Sequence, residues 1–446
     1  MEDIQEDHID AARTNVKSES ICAELCEDIR RECEDLRGIL EAVKRFKGHS
    51  SRSLDTIISK GELLSSRLMA ALLRDRGVDA VVVDLSTVYD GVAEHHAAAP
   101  DSDFYDRTIS AMREEVRAVG NKVPVLTGYF GVVPGGLLEE IGRGYTDLSA
   151  ALVSVGLGVQ EMQIWKEVDG VFTADPRKVP TAQLLPTISP SEAAELTNWG
   201  SEVIHAFTMK QAIQARIPIR IKNVMNPTGP GTAIMPDPEL PLAAPGRRSN
   251  LLPALSARSP HDPTGPGPKR PTAVTAKRGM LVLELEPDKG SVTPHFMLAV
   301  FTILARWNLK IDIISVSELL VSLALHSQSS MVGGVTKEDK SITNREMEGA
   351  LAELEGLGHV SKEFNLAAIS LIDKDMKSKV GVASKMITAL AENHINIVML
   401  SQGVRENKII CVIDDRVSRT RSVGPCLPPL LRTPPLTVGN STPIER

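Results

Sequence analysis

Glycine and charged residues that could hold an anionic ligand lie in two segments of the chain. The first segment, Gly142-Arg143-Gly144-Tyr145-Thr146-Asp147, joins a predicted strand and its loop to a predicted helix. A glycine turn before a helix exposes backbone N–H groups at the positive end of the helix dipole, where anions bind. A tight turn with Asp147 as the helix N-cap would give the same pattern. The residues alone leave both interpretations open.

The second segment is Trp165-Lys166-Glu167-Val168-Asp169-Gly170-Val171-Phe172-Thr173-Ala174-Asp175-Pro176-Arg177, and it follows another predicted strand. It combines charged side chains and an aromatic ring with a turn that closes at a proline. Open α/β sheets bind ligands at the carboxyl ends of their strands, which is where this segment lies. A solvated charged turn is the alternative interpretation.

The elements that position these segments alternate between helices and short apolar strands. The predicted helices span residues 19–46, 61–74, 147–157, 191–198 and 207–215. The predicted strands span residues 79–85, 123–127, 162–165 and 218–224. Such alternation predicts an α/β fold with a mainly parallel sheet covered by helices on both faces. Cys22, Cys26 and Cys33 recur at helical spacing, which favours a buried stripe over a zinc site or a disulfide.

Length and charge limit the function classes. A chain of 446 residues predicts two or three domains, because single cores stop growing at about 250–300 residues. A net charge of −7 without a long Lys/Arg run argues against nucleic acid or anionic membranes as main partners. We find neither an apolar stretch of about 20 residues nor a signal peptide, so we expect a cytoplasmic protein.

The second half of the chain contains a linker and an internal repeat. Residues 237–272 are rich in Pro, Gly, Ser and Ala, which predicts a linker. Beyond it, a strand at 280–286 matches one at 366–372, an offset of about 86 residues. A helix and strand ending at Ser315 match a pair ending at Ser401. The repeat predicts a small α+β module that is present twice.

Five motifs resemble those of the aspartate kinases and occur in the same order. Their sequences are similar to those of the fungal members. They are Ser59–Ser65 (a Gly-Glu helix start), Gly142–Asp147 (the substrate loop), Trp165–Arg177 (the nucleotide loop), Gly200–His205, and Ile221–Val224 followed by Gly231-Thr232. The resemblance covers residues 8–234 and 273–413. It implies an amino-acid-kinase-like three-layer sandwich followed by two ACT-like (ferredoxin-like) modules. The implied domains are a kinase domain at 1–236, the linker, modules at 273–345 and 346–415, and an irregular tail at 416–446.

The resemblance also implies residue roles. Arg143 with Gly144 would hold a carboxylate of L-aspartate, and Glu62 would accept its ammonium group. As an alternative, Glu62 is only an acid in the first helical turn, favoured by the dipole. Asp147 would lie near Mg²⁺ or the transferring phosphoryl group. The nucleotide would be surrounded by Lys166, Glu167, Phe172 and Arg177.

The implied reaction transfers the γ-phosphoryl group of ATP to the side-chain carboxylate of L-aspartate, giving 4-phospho-L-aspartate. This is the first step towards threonine and methionine. The nucleophile is already ionised at pH 7, since its reference pKa is about 3.9, so no general base is needed.

The ACT-like modules imply an amino-acid effector, which for fungal members is threonine. Candidate effector-binding residues are Ser291, His295, Asp312 and Ser315, although polar strand ends would give the same pattern. ACT modules usually pair edge to edge, so we expect a homo-oligomer.

The chain departs from the family at its start. Aspartate kinases open with a strand ending in Lys-Phe-Gly-Gly-Thr-Ser, whereas this chain begins Met1-Glu2-Asp3-Ile4. Since positioned donors that neutralise phosphate supply most of the catalysis, we expect little kinase activity from the chain as written. The second hypothesis is therefore a catalytically inactive amino-acid sensor or regulatory subunit that uses the ACT-like modules.

Overall fold

The structure, a computed structural model, divides the chain into two compact units. It describes residues 1–46, 51–88, 102–131, 133, 137, 144–199, 204, 206–236, 271–288, 290–326, 345–376, 379–403 and 406–416. The first unit contains Met1–Glu167, Ile204–Gly229 and the described residues from Ala233 to 236. The second unit contains Val168–Val203, Pro230–Thr232 and the described residues from 271 onwards.

Three helices open the first unit: α1 (Glu2–Asn15), α2 (Glu19–Phe46) and α3 (Ser51–Asp75). The predicted cysteine stripe is confirmed, because Cys26 and Cys33 are buried in a core that all three helices share. Helix α3 begins ten residues before the predicted helix start at Gly61. A glycine inside a helix costs about 1 kcal/mol relative to alanine, and the packed face of α3 outweighs that cost.

Short parallel strand pairs follow the helices. Strand β1 (Ala80–Val83) pairs with β2 (Val123–Leu126), and a 3₁₀ turn follows at Leu85–Thr87. Helices α4 (Ser102–Ala118) and α5 (Tyr145–Leu157) share an apolar core with residues near the strand ends. The expected parallel pairing is confirmed, although α4 was not predicted.

A four-stranded sheet has the order β3–β5–β6–β4. Its strands are β3 (Met162–Lys166), β4 (Thr187–Ile188), β5 (Ile219–Asn223) and β6 (Thr232–Ile234), and β3 pairs with β5 in parallel. The remaining helices of this part of the chain are α6 (Pro190–Asn198) and α7 (Ala206–Gln214). The predicted single sheet therefore appears as two sheets within the described residues.

The rest of the second unit is built on one six-stranded sheet with the order β11–β12–β10–β7–β9–β8. Its strands are β7 (Ala273–Pro287), β8 (Ile311–Val316), β9 (Val321–His326), β10 (Gly358–Ile372), β11 (Met399–Ser401) and β12 (Lys408–Asp414). Its helices are α8 (Pro294–Arg306), α9 (Arg345–Leu354) and α10 (Val382–Glu392). Strands β7 and β10 are longer than predicted because they pair with each other along their length, which joins the two repeats into one sheet.

Two predicted irregular segments lie almost entirely outside the described residues. Of the linker at 237–272 only residues 271 and 272 are described, and of the tail at 416–446 only Arg416 is described. Within the described part of the chain, no helix is both long and apolar enough to cross a bilayer. The predicted domain boundaries stay predictions.

Candidate active site

The carboxylate of Glu62 is the polar centre of the first unit. Its Oε1 accepts a hydrogen bond from the hydroxyl of Thr146 at 2.9 Å. Its Oε2 is buried and has no hydrogen-bond partner among the residues that the structure describes. Glu62 lies in the middle of α3, so its interpretation as a first-turn acid is wrong.

The first turn of α5 faces this carboxylate. Gly144 is the N-cap of α5, and Asp147 is the third helical residue, half-buried, so its interpretation as the N-cap is wrong. Tyr145 is buried in the same turn. Burial, and then a side-chain hydrogen bond with the Glu62 carboxylate, raises the pKa of Tyr145 above its usual range. A carboxylate beside the N-terminus of a helix is stabilised by the helix dipole.

A glycine allows the two helices to approach each other at this point. A Cβ atom on Gly128 would lie 2.5 Å from Cγ2 of Thr146 and 2.6 Å from Oε2 of Glu62. A larger residue fits there only if the side chains of Thr146 and Glu62 move. Gly128 follows β2, whose last residue accepts a hydrogen bond from the hydroxyl of Ser66 on α3 at 3.2 Å. The end of β2 therefore lies against the helix that carries Glu62.

Buried ion pairs fix the position of α3 against α2. Lys60 lies 2.6 Å and Arg67 2.7 Å from the carboxylate of Glu32, and Arg67 also pairs with Asp28 at 2.8 Å. Burial alone would raise the pKa of Glu32, but the hydrogen bonds from Lys60 and Arg67 lower it below its usual range. Because Lys60 and Arg67 flank Glu62 along α3, these pairs also orient the candidate site.

A cavity of about 530 Å³ opens at the carboxyl ends of β1 and β2. Its lining includes Lys60 from α3, Asp84 and Ser86 after β1, and Thr127 and Tyr129 after β2. The hydroxyl of Thr127 accepts a hydrogen bond from the backbone N–H of Leu85 at 2.9 Å, which ties the two strand ends together. The strand ends therefore border a space of small-molecule size, as expected for an α/β sheet.

This arrangement suits a ligand that brings positive charge to Glu62. A buried carboxylate oxygen normally has a hydrogen-bond donor, and an ammonium group supplies charge-assisted bonds. Among the described residues, no cluster of His, Cys, Asp and Glu could hold a metal ion. Arg143 lies outside the described residues, so its predicted role stays a prediction. The same holds for the motif Gly200–His205, of which the structure describes only Ile204.

The predicted nucleotide residues fall in both units. Lys166 is the last residue of β3 and Glu167 follows it, both in the first unit, whereas Phe172 and Arg177 belong to the second unit. The guanidinium of Arg177 is exposed and pairs with Asp175 through two nitrogens, at 3.0 and 3.2 Å. The nucleotide site that these residues were predicted to form stays a prediction.

The predicted effector residues lie on the first repeat of the six-stranded sheet. Ser291, His295 and Ser315 are exposed. Asp312 accepts hydrogen bonds from the ammonium of Lys277 at 2.9 and 3.0 Å, so an internal cation already neutralises it. An effector that used Asp312 would compete with Lys277.

Sequence comparison decides the family. Residues 5–223 match the model of the amino acid kinase family, and residues 369–419 match that of the ACT domain. The chain is 44% identical to the aspartokinase of Schizosaccharomyces pombe over 93% of its own length and 76% of that protein. It is 42% identical to the aspartokinase of Saccharomyces cerevisiae over the same shares. The chain belongs to the aspartokinase family.

Solved structures of this family agree with the fold. The chain matches Escherichia coli aspartokinase III in complex with aspartate and ADP with a TM-score of 0.66 and 26% identity. The match covers 91% of this chain and 81% of that chain. The form of that enzyme in complex with lysine and aspartate also matches, with a TM-score of 0.66 and 25% identity. The amino-acid-kinase fold and the ACT assignment are thereby confirmed.

Sequence reasoning found Glu62 and missed the groups that surround it. Gly128, Tyr145 and Thr146 were not assigned roles, although the last two belong to a motif that was singled out. The available signal for Gly128 was its position directly after a predicted strand in Thr127-Gly128-Tyr129-Phe130-Gly131. Its approach to Glu62 joins residues 66 positions apart, and no local pattern contains that information.

Proposed function

We propose that this aspartokinase-family chain transfers the γ-phosphoryl group of ATP to the side-chain carboxylate of L-aspartate. The observation that supports this reaction is the Glu62 carboxylate, which keeps one buried oxygen without a donor among the described residues. The other oxygen of the same carboxylate accepts a hydrogen bond from Thr146 in the first turn of α5, which belongs to the predicted substrate loop. The site therefore offers a negative group for the substrate ammonium next to a helix N-terminus for an anion.

The proposal assigns a role to each predicted substrate residue. Glu62 binds the ammonium group of aspartate, and the hydroxyl of Thr146 holds the Glu62 carboxylate in position. Arg143 binds a carboxylate of the substrate through its fork of N–H donors. The substrate carboxylate that attacks is ionised at neutral pH, so the protein orients it and needs no general base.

The second substrate is ATP with Mg²⁺. Mg²⁺ neutralises the charge of the phosphates, and it prefers carboxylate oxygens such as those of Asp147 in the first turn of α5. Lys166, Glu167, Phe172 and Arg177 surround the nucleotide in this proposal. The solved E. coli relative in complex with aspartate and ADP supports the pairing of an amino acid with a nucleotide.

The finer parts of the proposal concern regulation. We place the reaction at the first step towards threonine and methionine, with threonine as the feedback effector that binds the ACT-like sheet. We also propose a homo-oligomer formed through this sheet. Its edge strand β8 leaves Ile314 and Val316 exposed, as a strand that pairs with another subunit would.

A direct assay tests the reaction. Purified full-length protein is incubated with ATP, Mg²⁺ and L-aspartate, and hydroxylamine traps the acyl phosphate as a hydroxamate. In contrast to the low activity predicted from the first residues of the chain, we expect hydroxamate with L-aspartate. We expect far less with L-glutamate, whose carboxylate lies one methylene farther from the ammonium. A folded protein that forms no hydroxamate, or forms it equally from both amino acids, contradicts the proposal.

A further inference from the structure

A second buried glutamate lies on α6, in the second unit. Glu192 is 3% exposed. Its Oε2 accepts hydrogen bonds from the backbone N–H of Ser189 at 2.9 Å and from the Ser189 hydroxyl at 2.8 Å. This is a capping box, in which the N-cap serine and the glutamate three residues later satisfy each other's backbone groups. The cap uses only one oxygen of the carboxylate.

The other oxygen of Glu192 joins α6 to the six-stranded sheet. Oε1 accepts a hydrogen bond from the hydroxyl of Thr272 at 2.6 Å and from the backbone N–H of Lys374 at 3.2 Å. Thr272 directly precedes β7, and Lys374 lies just beyond β10. Burial alone would raise the pKa of Glu192, but the hydrogen bonds from Thr272 and Ser189 lower it below its usual range. The carboxylate thus binds α6 to the two central strands as a charged group.

The same strand end holds the predicted nucleotide loop. The backbone N–H of Val274, two residues after Thr272, donates to the carbonyl of Thr173 at 2.9 Å. Thr173 adjoins Phe172, one of the residues assigned to the nucleotide. Ala174 of this loop, and Val179 two residues after the loop, are buried in the core formed by β10, β12 and α10. The loop is therefore packed on the sheet that belongs to the ACT part of the chain.

The far end of α6 is held by the same sheet. The hydroxyl of Thr275 on β7 donates to the carbonyl of Trp199 at 2.5 Å, and Lys408 on β12 pairs with Glu195 at 3.0 Å. Helix α6 therefore contacts both central strands at its start and β7 and β12 at its end. A shift of β7 relative to β10 must therefore either move α6 or break the hydrogen bonds that Glu192 accepts from Thr272 and Lys374.

We infer that Glu192 is a positioning residue that couples the regulatory sheet to the nucleotide loop, through Thr272 and the start of β7. This inference rests on the proposed function, because the loop is assigned to the nucleotide there. The coupling has a direction: weakening the hydrogen bonds of Glu192 weakens nucleotide binding. Aspartate binding at Glu62 stays unchanged, since Glu62 lies in the other unit.

Calorimetric titration of the full-length protein with MgADP, and separately with L-aspartate, tests this assignment. The variant Glu192→Gln keeps the shape of the side chain and removes its charge. Couplings between sites typically change affinity about 5- to 150-fold, so we expect the Kd for MgADP to rise at least about 5-fold. We expect the Kd for L-aspartate to stay within about 2-fold.

Glu353→Gln is the matched control. Glu353 lies in the same unit and accepts hydrogen bonds from Arg306 at 2.7 Å and Trp307 at 3.2 Å, but α6 is not among these partners. We expect this variant to bind both ligands like the wild type. Thr272→Val removes a single donor to Glu192 and serves if Glu192→Gln fails to fold. We expect Thr272→Val to shift the MgADP Kd in the same direction by a smaller factor.

The outcomes distinguish a failure of the proposed function from a failure of the positioning role of Glu192. A folded wild type that binds neither ligand contradicts the proposed function. A wild type that binds both ligands, with a folded Glu192→Gln that binds MgADP equally well, overturns the positioning role alone. Equal weakening of both ligands, or the same change in Glu353→Gln, also overturns it, because a general loss of stability would then explain the result. If Glu192→Gln does not fold, unchanged MgADP binding by Thr272→Val overturns it.

Discussion

Glu62 in the first unit and Glu192 in the second are both glutamates that lie against a helix N-terminus, yet their oxygens are used differently. Glu62 accepts the hydroxyl of Thr146 on Oε1 and also has a side-chain hydrogen bond with Tyr145, whereas Oε2 has no hydrogen-bond partner within the described residues. Glu192 receives two donors on each oxygen. Leaving a buried carboxylate oxygen unpaired costs free energy unless a ligand completes it. The open carboxylate of Glu62 is therefore the candidate ligand site in our proposal, and the fully paired carboxylate of Glu192 is the candidate positioning group.

Glu32 on α2 extends the comparison to the first unit. Like Glu192 it is closed, since Lys60 and Arg67 donate to its two oxygens at 2.6 and 2.7 Å. It lies one helix away from Glu62 and orients the helix that carries it. The first unit thus contains a fully paired glutamate, Glu32, and a partly paired one, Glu62, for which we propose a role in binding. Variants can separate stability from binding.

The largest expected effect comes from removing the charge of Glu32, whose two oxygens are both paired. Removing one partner of a buried ion pair typically costs about 3–5 kcal/mol, because the remaining charges lose their counterpart. We expect Glu32→Gln to lower the free energy of unfolding of the first unit by about that amount, as measured by urea titration. The control is Glu24→Gln, whose exposed pair with Arg74 at 3.2 Å should be worth less than about 1 kcal/mol. Equal losses in the two variants would remove the distinction between closed and exposed carboxylates.

A second variant fills the space beside the open glutamate. Gly128→Ala places a methyl group 2.6 Å from Oε2 of Glu62 and 2.5 Å from Cγ2 of Thr146, so these side chains must move. Overpacking of this kind costs about 1–3 kcal/mol. We expect lower stability and weaker L-aspartate binding in calorimetry, with MgADP binding unchanged.

Gly38→Ala is the control for that variant. Gly38 lies within α2, and an added Cβ meets open space there. Alanine in a helix interior is about 1 kcal/mol more favourable than glycine, so Gly38→Ala should gain stability. If Gly128→Ala is as stable as the wild type and binds aspartate normally, the close approach of β2 to Glu62 is wrong.

The smallest expected effect is a dependence on pH. The pKa of Glu192 is lowered in the folded protein, so its contribution is fully present above the unfolded value of about 4.3 and is lost as pH falls through the folded value. The difference in unfolding free energy between the wild type and Glu192→Gln should therefore narrow as the pH falls from about 6 to about 3, as measured by urea titration at each pH. A constant difference would mean that the charge of Glu192 does not contribute.

Local patterns predicted the elements of this protein well where one apolar face decides the structure. Helix α2 has both predicted ends, because its stripe of leucine, isoleucine and cysteine runs without interruption. Strands β7 and β10 extend beyond their apolar runs because each is the pairing partner of the other, and that pairing joins distant parts of the chain. Contacts between distant parts of the chain also limit the prediction of functional sites. Glu62 was found through a motif, whereas Glu192 was missed although Ser189-Pro190-Ser191-Glu192 has capping-box spacing, since its partner Thr272 is 80 residues away.

Titration of L-aspartate into wild-type and Glu62→Gln proteins tests the central claim most directly. Hydrogen bonds to charged groups are worth about 1.5–3 kcal/mol, which corresponds to about 10- to 100-fold in affinity. The open-carboxylate account predicts that Glu62→Gln loses that much affinity for aspartate, while its unfolding free energy and its affinity for MgADP stay close to those of the wild type. If the folded variant binds aspartate as tightly as the wild type, Glu62 does not bind the substrate ammonium.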